Sequence, residues 1–477
     1  MSRTLKPGPS WTAVAARQLT GSVFAPGQTA RTDFLPWWRE RADRHRFEVT
    51  PVAFSELTDW GFDRAGNLAH SSGKFFSITG LHVRSDYGPV PEWTQPIISQ
   101  PEVGILGILI KEFDGVAHCL MQAKMEPGNV NTLQLSPTVQ ATRSNYTRVH
   151  RGGSTRYLDY FAAPRRGRVV ADVLQSEQGS WFYHKHNRNM VVVTSDDVPV
   201  HEDFCWLTLR QVLDALSTDN VVNMDARTVL SCMPLTAPPA GSSGNHGTPE
   251  PFREMLARSL DPDTSALHTT EQVMSWLTDR KARHDVRTTL IPAADVTGWL
   301  RSDHVIEHAE GKHFKIIGVR VQASSREIGA WTQPLLAPSQ CGVVAFVVKP
   351  IDGVLHVLTQ ARVEPGFIDT VELAPTVQCL PGNYAGLPAA GQPRYLDYVL
   401  AARPEAIRFE AMLSEEGGRF YDAQNRYLVV EAGAEFPVVT PDSYRWLTVS
   451  QLAEALRHSH NVSVQARTLV TCLYSLL

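Results

Sequence analysis

The chain has 477 residues, 43% of them hydrophobic and 20% charged, and a formal net charge of −4. That length exceeds one ordinary core, and the near-neutral, slightly acidic balance excludes a general nucleic-acid binder, which needs a strongly basic face. No run of about 18 apolar residues offers a membrane-spanning helix, residues 1–18 lack the apolar core of a secretory leader, and the six scattered cysteines have no zinc-type spacing; a soluble, cytoplasmic protein is expected.

Residues 1–33 match nothing later in the chain and are expected to form a loose arm. Tryptophan and leucine spacing predicts a helix near Trp37–His45. The β-branched run Val103–Ile110, the pair Asp114-Gly115 and the alternating run Ala117–Lys124 predict a β-hairpin. Arg156-Tyr157-Leu158-Asp159-Tyr160 alternates like a strand, and Trp181–Tyr183 through Asn187–Asn189 to Met190–Val193 reads as a second hairpin. Thr208 and Gln211 form a Thr-x-x-Gln capping box, which takes up unpaired N–H groups at the start of a helix. Pro238–Gly247 is a Pro/Gly/Ser linker.

About 240 residues later the pattern starts again. Trp93-Thr94-Gln95-Pro96 returns as Trp331-Thr332-Gln333-Pro334. Gln122-Ala123-Lys124-Met125-Glu126-Pro127-Gly128 returns as Gln360-Ala361-Arg362-Val363-Glu364-Pro365-Gly366. Pro137–Gln140, Asn145-Tyr146 and Arg156–Tyr160 return as Pro375–Gln378, Asn383-Tyr384 and Arg394–Tyr398, and Thr448 and Gln451 repeat the capping box. A constant spacing over so much chain is a tandem duplication, here 34–234 and 269–477 joined by 235–268. With strands outnumbering helices, the expected class is α+β: mixed sheets with flanking helices.

The shared blocks carry the chemistry. Alternation places Gln122, Lys124 and Glu126 on one strand face. Such a row faces either a polar cavity, because burying it in an apolar core is costly, or open water as a weak surface ion pair. Tyr157 and Asp159 form either an acid/base couple or a structural hydrogen bond holding a buried tyrosine. Arg156 and Arg394 suit a bidentate grip on pyrophosphate or a surface salt bridge. The rings of Trp93, Trp331, Tyr146 and Tyr384 either stack on a nucleobase or pack in the core. No phosphate-binding glycine loop, GxGxxG or HExxH is present, and His184 and His186 face Asp422 and Gln424 in the second copy, so no shared metal site is assigned.

In this order, and duplicated, these motifs resemble the NDP-hexose 2,3-dehydratases over nearly the whole chain. The resemblance implies two Nudix-like domains per subunit, a homodimer, and a dTDP-4-keto-6-deoxyhexose substrate. The Glu-rich helix signature of diphosphate-hydrolysing Nudix enzymes is missing from both copies, which fits a scaffold without magnesium. In the implied reaction the C4 ketone acidifies the C3 proton, a base removes it, and the C2 hydroxyl leaves with a proton from an acid. No cofactor is required. Glu126 and Tyr157 are then the expected proton-transfer groups, Lys124 the enolate stabiliser and Asp159 the residue orienting Tyr157. A desolvated Lys124 could itself be the base, whereas Arg362 could not. Expected substrate contacts are Trp93, Gln95, Gln122, Gln140, Asn145, Tyr146 and Arg156 in the first copy. In the second they are Trp331, Gln360, Arg362, Glu364, Gln378, Asn383, Tyr384, Arg394 and Tyr395. Richer in proton-transfer groups, the first copy is expected to do the chemistry and the second to bind only.

Overall fold

The computed structural model describes residues 11–24, 29–142, 155–238, 247–324, 329–388 and 391–477. Each half carries a seven-stranded mixed sheet. In the first, strands Gly104–Phe113 and Val116–Met125 form the expected hairpin, with Asp114 (φ 51°) and Gly115 (φ 80°) both left-handed, as a two-residue turn that matches strand twist requires. The second half repeats it with Gly342–Ile351, Val354–Val363 and the Asp352-Gly353 turn. Strand His186–Val193 runs parallel to Gly104–Phe113 and antiparallel to Arg168–Ser176. Phe182-Tyr183 belongs to another sheet, parallel to Glu92–Ser99, so the hairpin expected around Asn187 does not form.

The two smaller sheets exchange strands between the halves. Phe47–Val52 of the first half pairs antiparallel with Phe314–Ala323 of the second, and Val286–Ile291 of the second pairs with Ser77–Ser85 of the first. The halves also share one apolar core, in which Ile108 and Val191 lie in the same cluster as Phe346, Tyr427 and Leu469. At its centre helices Met224–Ser231 and Val464–Ser475 pack together, each carrying a fully buried arginine. Arg227 donates to the Val222 and Ser414 carbonyls, and Arg467 to those of Val462 and Ser176, both at 2.6 Å. Each guanidinium thus satisfies a strand carbonyl of the opposite half, as buried charge demands.

Residues 11–24 are not a loose arm. Trp11–Val23 is a helix whose Leu19 and Val23 enter the shared core, while Ser22 Oγ accepts the Ala117 N–H at 2.8 Å. Glu250–Ser259, within the expected linker, repeats this arrangement: Phe252 and Leu256 are buried and Ser259 Oγ accepts the Val449 N–H at 2.8 Å. Apolar residues on one face of each helix outweigh the lack of obvious sequence repetition. The helix expected near Trp37 is present as Phe34–Arg44, its second-half counterpart is Thr270–Arg283 with Trp276 buried, and both Thr-x-x-Gln boxes cap helices.

Candidate active site

Strand Val116–Met125 ends one residue before Glu126, and the Pro127-Gly128 turn swings that carboxylate into a polar recess where it is only 5% exposed. Lys124 Nζ lies 3.0 Å from Glu126 Oε1, and Gln140 Nε2 donates to the same oxygen at 3.0 Å. The Gln140 amide is oriented from behind: its Oε1 accepts from Ser136 Oγ at 2.9 Å and from Asn223 Nδ2 at 3.3 Å. Asn223 in turn caps helix Met224–Ser231 through the Ala226 N–H at 2.8 Å. The helix start and the carboxylate are therefore coupled through one side-chain amide.

The second copy keeps the outline and changes the chemistry. Arg362 Nε lies 2.9 Å from Glu364 Oε1, Gln378 Nε2 donates to that oxygen at 3.0 Å, and the Ser180 N–H donates to Oε2 at 3.0 Å. Ser463 caps the helix in place of Asn223 and Ala374 replaces Ser136, so Gln378 Oε1 is buried without a hydrogen-bond partner among the described residues. Tyr87, from the first half, closes this pocket by accepting from Gln360 Nε2 at 3.1 Å, and burial pushes its phenol upward.

Each recess is roofed by the other half. The Gly128 N–H donates to the Gly417 carbonyl at 2.7 Å and the Asp422 N–H to the Gly128 carbonyl at 3.0 Å; Gly366 meets Gly179 and His184 at 2.7 and 2.9 Å. A Cβ at Gly128 would fall 1.6 Å from the Phe420 carbonyl oxygen, so the Glu-Pro-Gly block needs glycine for backbone contact between halves. The Trp-Thr-Gln blocks hold the roofs. Trp93 Nε1 donates to Gln95 Oε1 at 2.9 Å and Gln95 Nε2 to the Ser180 carbonyl at 2.9 Å, while Trp331, Gln333 and Gly418 repeat this at 2.8 and 2.9 Å.

Other expected site residues fall elsewhere. Arg156–Tyr160 is not a strand: Tyr157 is left-handed (φ 61°) and Leu158–Tyr160 is a 3-10 turn. The Tyr157 hydroxyl donates to the Pro199 carbonyl at 2.8 Å and accepts the His201 N–H at 3.0 Å, while Asp159 pairs with Arg166 at 3.0 Å. The Tyr157–Asp159 couple is thereby corrected, because local turn geometry sends the two side chains to different partners. Tyr395 repeats the left-handed backbone and packs edge-on to Tyr444 at 5.2 Å. Arg156 and Arg394 are exposed, Gln122 is half-buried opposite Ser136, and Asn383 Oδ1 accepts the His313 N–H at 3.2 Å. Tyr384 ends a short turn beside Arg362 and Tyr87. Asn145 and Tyr146 lie outside the described residues.

Two acids that sequence reasoning missed face the Glu126 recess. Asp225, in the first turn of helix Met224–Ser231, is 3% exposed; Glu416 belongs to the roof loop from the second half. Burial pushes the Asp225 carboxyl well above its ordinary range, Glu416, Glu177 and Glu126 push it the same way, and Lys124 opposes them. Burial also raises Glu416, with Arg419 opposing and Glu126 reinforcing. The duplication held the signal: Asp225 aligns with Gln465 and Glu416 with Gln178, titratable in one copy and neutral in the other.

A family model described as NDP-hexose 2,3-dehydratase matches residues 31–233 and again 270–473. Three relatives carry the name dTDP-4-dehydro-6-deoxy-alpha-D-glucopyranose 2,3-dehydratase. The one from Saccharopolyspora spinosa is 52% identical over 94% of this chain and 92% of its own length. The one from Amycolatopsis orientalis is 50% identical over 96% and 93%, and the one from Streptomyces violaceoruber 51% identical over 94% and 98%. Two buried, glutamine-held carboxylates at equivalent places in a duplicated chain, together with these matches, make the protein a member of the NDP-hexose 2,3-dehydratase family.

Proposed function

We propose that this protein removes water across C2 and C3 of a dTDP-4-keto-6-deoxyhexose, and that the first-half recess does the chemistry. The observation that carries this reading is the Lys124–Glu126 pair at 3.0 Å with Glu126 only 5% exposed, in a chain about half identical to relatives named for that reaction. Glu126, oriented by Gln140, removes the C3 proton that the C4 ketone acidifies. Lys124 donates to the developing enolate oxygen, where a preorganised cation is worth most. C2 is reduced as C3 is oxidised, so the reaction balances without a redox cofactor.

Arg362 cannot exchange a proton at neutral pH, and Gln465 and Gln178 stand where the first site has Asp225 and Glu416. The second recess accordingly binds a nucleotide sugar without turning it over. The same reading takes each half as a Nudix-like module and the enzyme as a cytoplasmic homodimer serving deoxysugar pathways of antibiotic producers, on the strength of the motif resemblance.

The test is incubation with dTDP-4-keto-6-deoxyglucose, with and without EDTA. Loss of one water from the sugar, unchanged by EDTA, supports the reading. Release of dTMP that EDTA abolishes would replace it with a diphosphate hydrolase, and unaltered substrate that still binds would replace it with a binding protein.

A further inference from the structure

Removing the C3 proton is half of the reaction; the C2 hydroxyl leaves as water only when it receives a proton. Tyr157 cannot supply it, since its hydroxyl proton is held on the Pro199 carbonyl. The acid must share the Glu126 recess, and the groups that distinguish this recess are those whose counterparts at the second recess cannot exchange a proton at neutral pH. Lys124, Asp225 and Glu416 meet that condition. Lys124 is engaged with Glu126, and Asp225 is almost wholly buried on the helix beneath. Glu416 lies in the roof and is only partly buried.

Glu416 is brought to Glu126 by backbone geometry. A Cβ placed on Gly418 would stand 2.5 Å from Glu416 Oε1 and 3.8 Å from Glu126 Oε1, so the two carboxyls flank one point. The loop that carries Glu416 is fixed on both sides. The Gly417 carbonyl accepts from Gly128, the Gly418 carbonyl from Gln333, and the Glu416 carbonyl from the N–H groups of Arg419 and Phe420. Arg419 and Lys185 also face this cluster, but Arg419 donates to Gln100 and Gly418, and Lys185 to Glu102 and Asn187. In the second recess the equivalent side chain, Gln178, is turned away and spent on Glu415 Oε2 at 2.5 Å and Met224 Sδ at 3.1 Å.

Resting on the dehydratase reading above, we infer that the active site is shared between the halves: Glu126 of the first half is the base and Glu416 of the second is the acid that protonates the departing C2 oxygen. Glu126 takes the C3 proton as the C3–C4 enolate forms. The enolate electrons then make the C2–C3 double bond, the C2–O bond breaks, and the Glu416 proton leaves in the water. Tautomerisation adds a proton at C2 and removes one from the C3 hydroxyl, leaving Glu126 protonated and Glu416 ionised. One proton passed from the first carboxyl to the second restores the site. Two like carboxyls close together in a recess favour this division, one ionised and one protonated.

The experiment compares wild type, Glu416→Gln and Glu126→Gln with dTDP-4-keto-6-deoxyglucose and with its 2-fluoro analogue, whose fluoride leaves without protonation. Gln is the residue the first half already carries at the equivalent loop position, Gln178, so the fold should accept it. Exchange of the C3 proton in deuterated water is followed by NMR alongside water or fluoride loss. Glu416→Gln is expected to lower water loss at least about 10²-fold, the usual worth of a positioned general acid, while C3 exchange continues and fluoride loss stays within threefold of wild type. Glu126→Gln is expected to lose exchange and both eliminations. Water loss by Glu416→Gln within threefold of wild type would overturn the inference. So would joint loss of exchange and fluoride release in that variant, which would make Glu416 a structural group or the base. A wild type that leaves both substrates untouched would instead refute the dehydratase reading itself.

Discussion

Lys124 Nζ and Glu126 Oε1 are 3.0 Å apart beneath a roof supplied by the other half of the chain, whereas their counterparts Arg362 and Glu364 are 2.9 Å apart beneath a roof from the first half. The difference is in what the cation can still do. Arg362 Nη1 is also committed to the Gln378 carbonyl at 3.1 Å, so its guanidinium is a strut. Lys124 is a compact donor able to follow a developing charge. Lys124→Arg, which copies the second recess, should lower kcat about 10²-fold, the order seen when an oxyanion donor is lost, with nucleotide-sugar affinity nearly unchanged. Steady-state kinetics and calorimetric titration check both numbers; an unchanged kcat would remove Lys124 from the chemistry.

Gly128→Ala tests the contact between halves. With its Cβ 1.6 Å from the Phe420 carbonyl oxygen, the roof loop must move. Overpacking of this kind costs about 1–3 kcal/mol, so a fall in Tm and a loss of turnover should appear together. Gly21→Ala, in helix Trp11–Val23 with nothing within 4 Å of the added carbon, should leave both unchanged or slightly raise Tm.

The halves also meet at two equivalent joints built differently. At one, Asn220 Nδ2 donates to Gln424 Oε1 at 3.0 Å; at the other, His460 and His186 stand with ring centroids 5.2 Å apart. Burial lowers both imidazoles, Lys185 adds to the effect on His186, and His186 adds to that on His460, with Asp369 opposing. A histidine lowered in the fold stabilises it fully above the unfolded value near 6.5, and that stability is lost as pH falls through the window below it. Tm should therefore drop between pH 7 and pH 5 by more in wild type than in the double variant His186→Gln, His460→Asn, which installs the amide joint. Equal drops would refute the assignment.

Much of the fold was legible locally. The Asp114-Gly115 hairpin and the Thr208 and Thr448 caps each rest on residues within a few positions of one another, and the duplication shows when the chain is laid against itself. What escaped depends on distant partners. Nothing near Phe47–Val52 says that it will pair with Phe314–Ala323, and nothing near Glu416 says that its loop will roof Glu126. Tyr157 misled because alternation in five letters cannot reveal a left-handed residue. Asp225 was hidden as an ordinary acid in the first turn of a helix, where carboxylates are common for dipole reasons alone. Comparing the copies position by position would have exposed it.

The central claim is that two similar recesses divide the work, one turning over substrate and one only binding it. Parallel measurement of kcat for Glu126→Gln and Glu364→Gln on dTDP-4-keto-6-deoxyglucose tests this most directly. Glu126→Gln should fall by at least about 10³-fold, within the range for loss of a general base, and Glu364→Gln by less than threefold. A crippled Glu364→Gln beside an active Glu126→Gln would place the chemistry in the second recess and contradict the account.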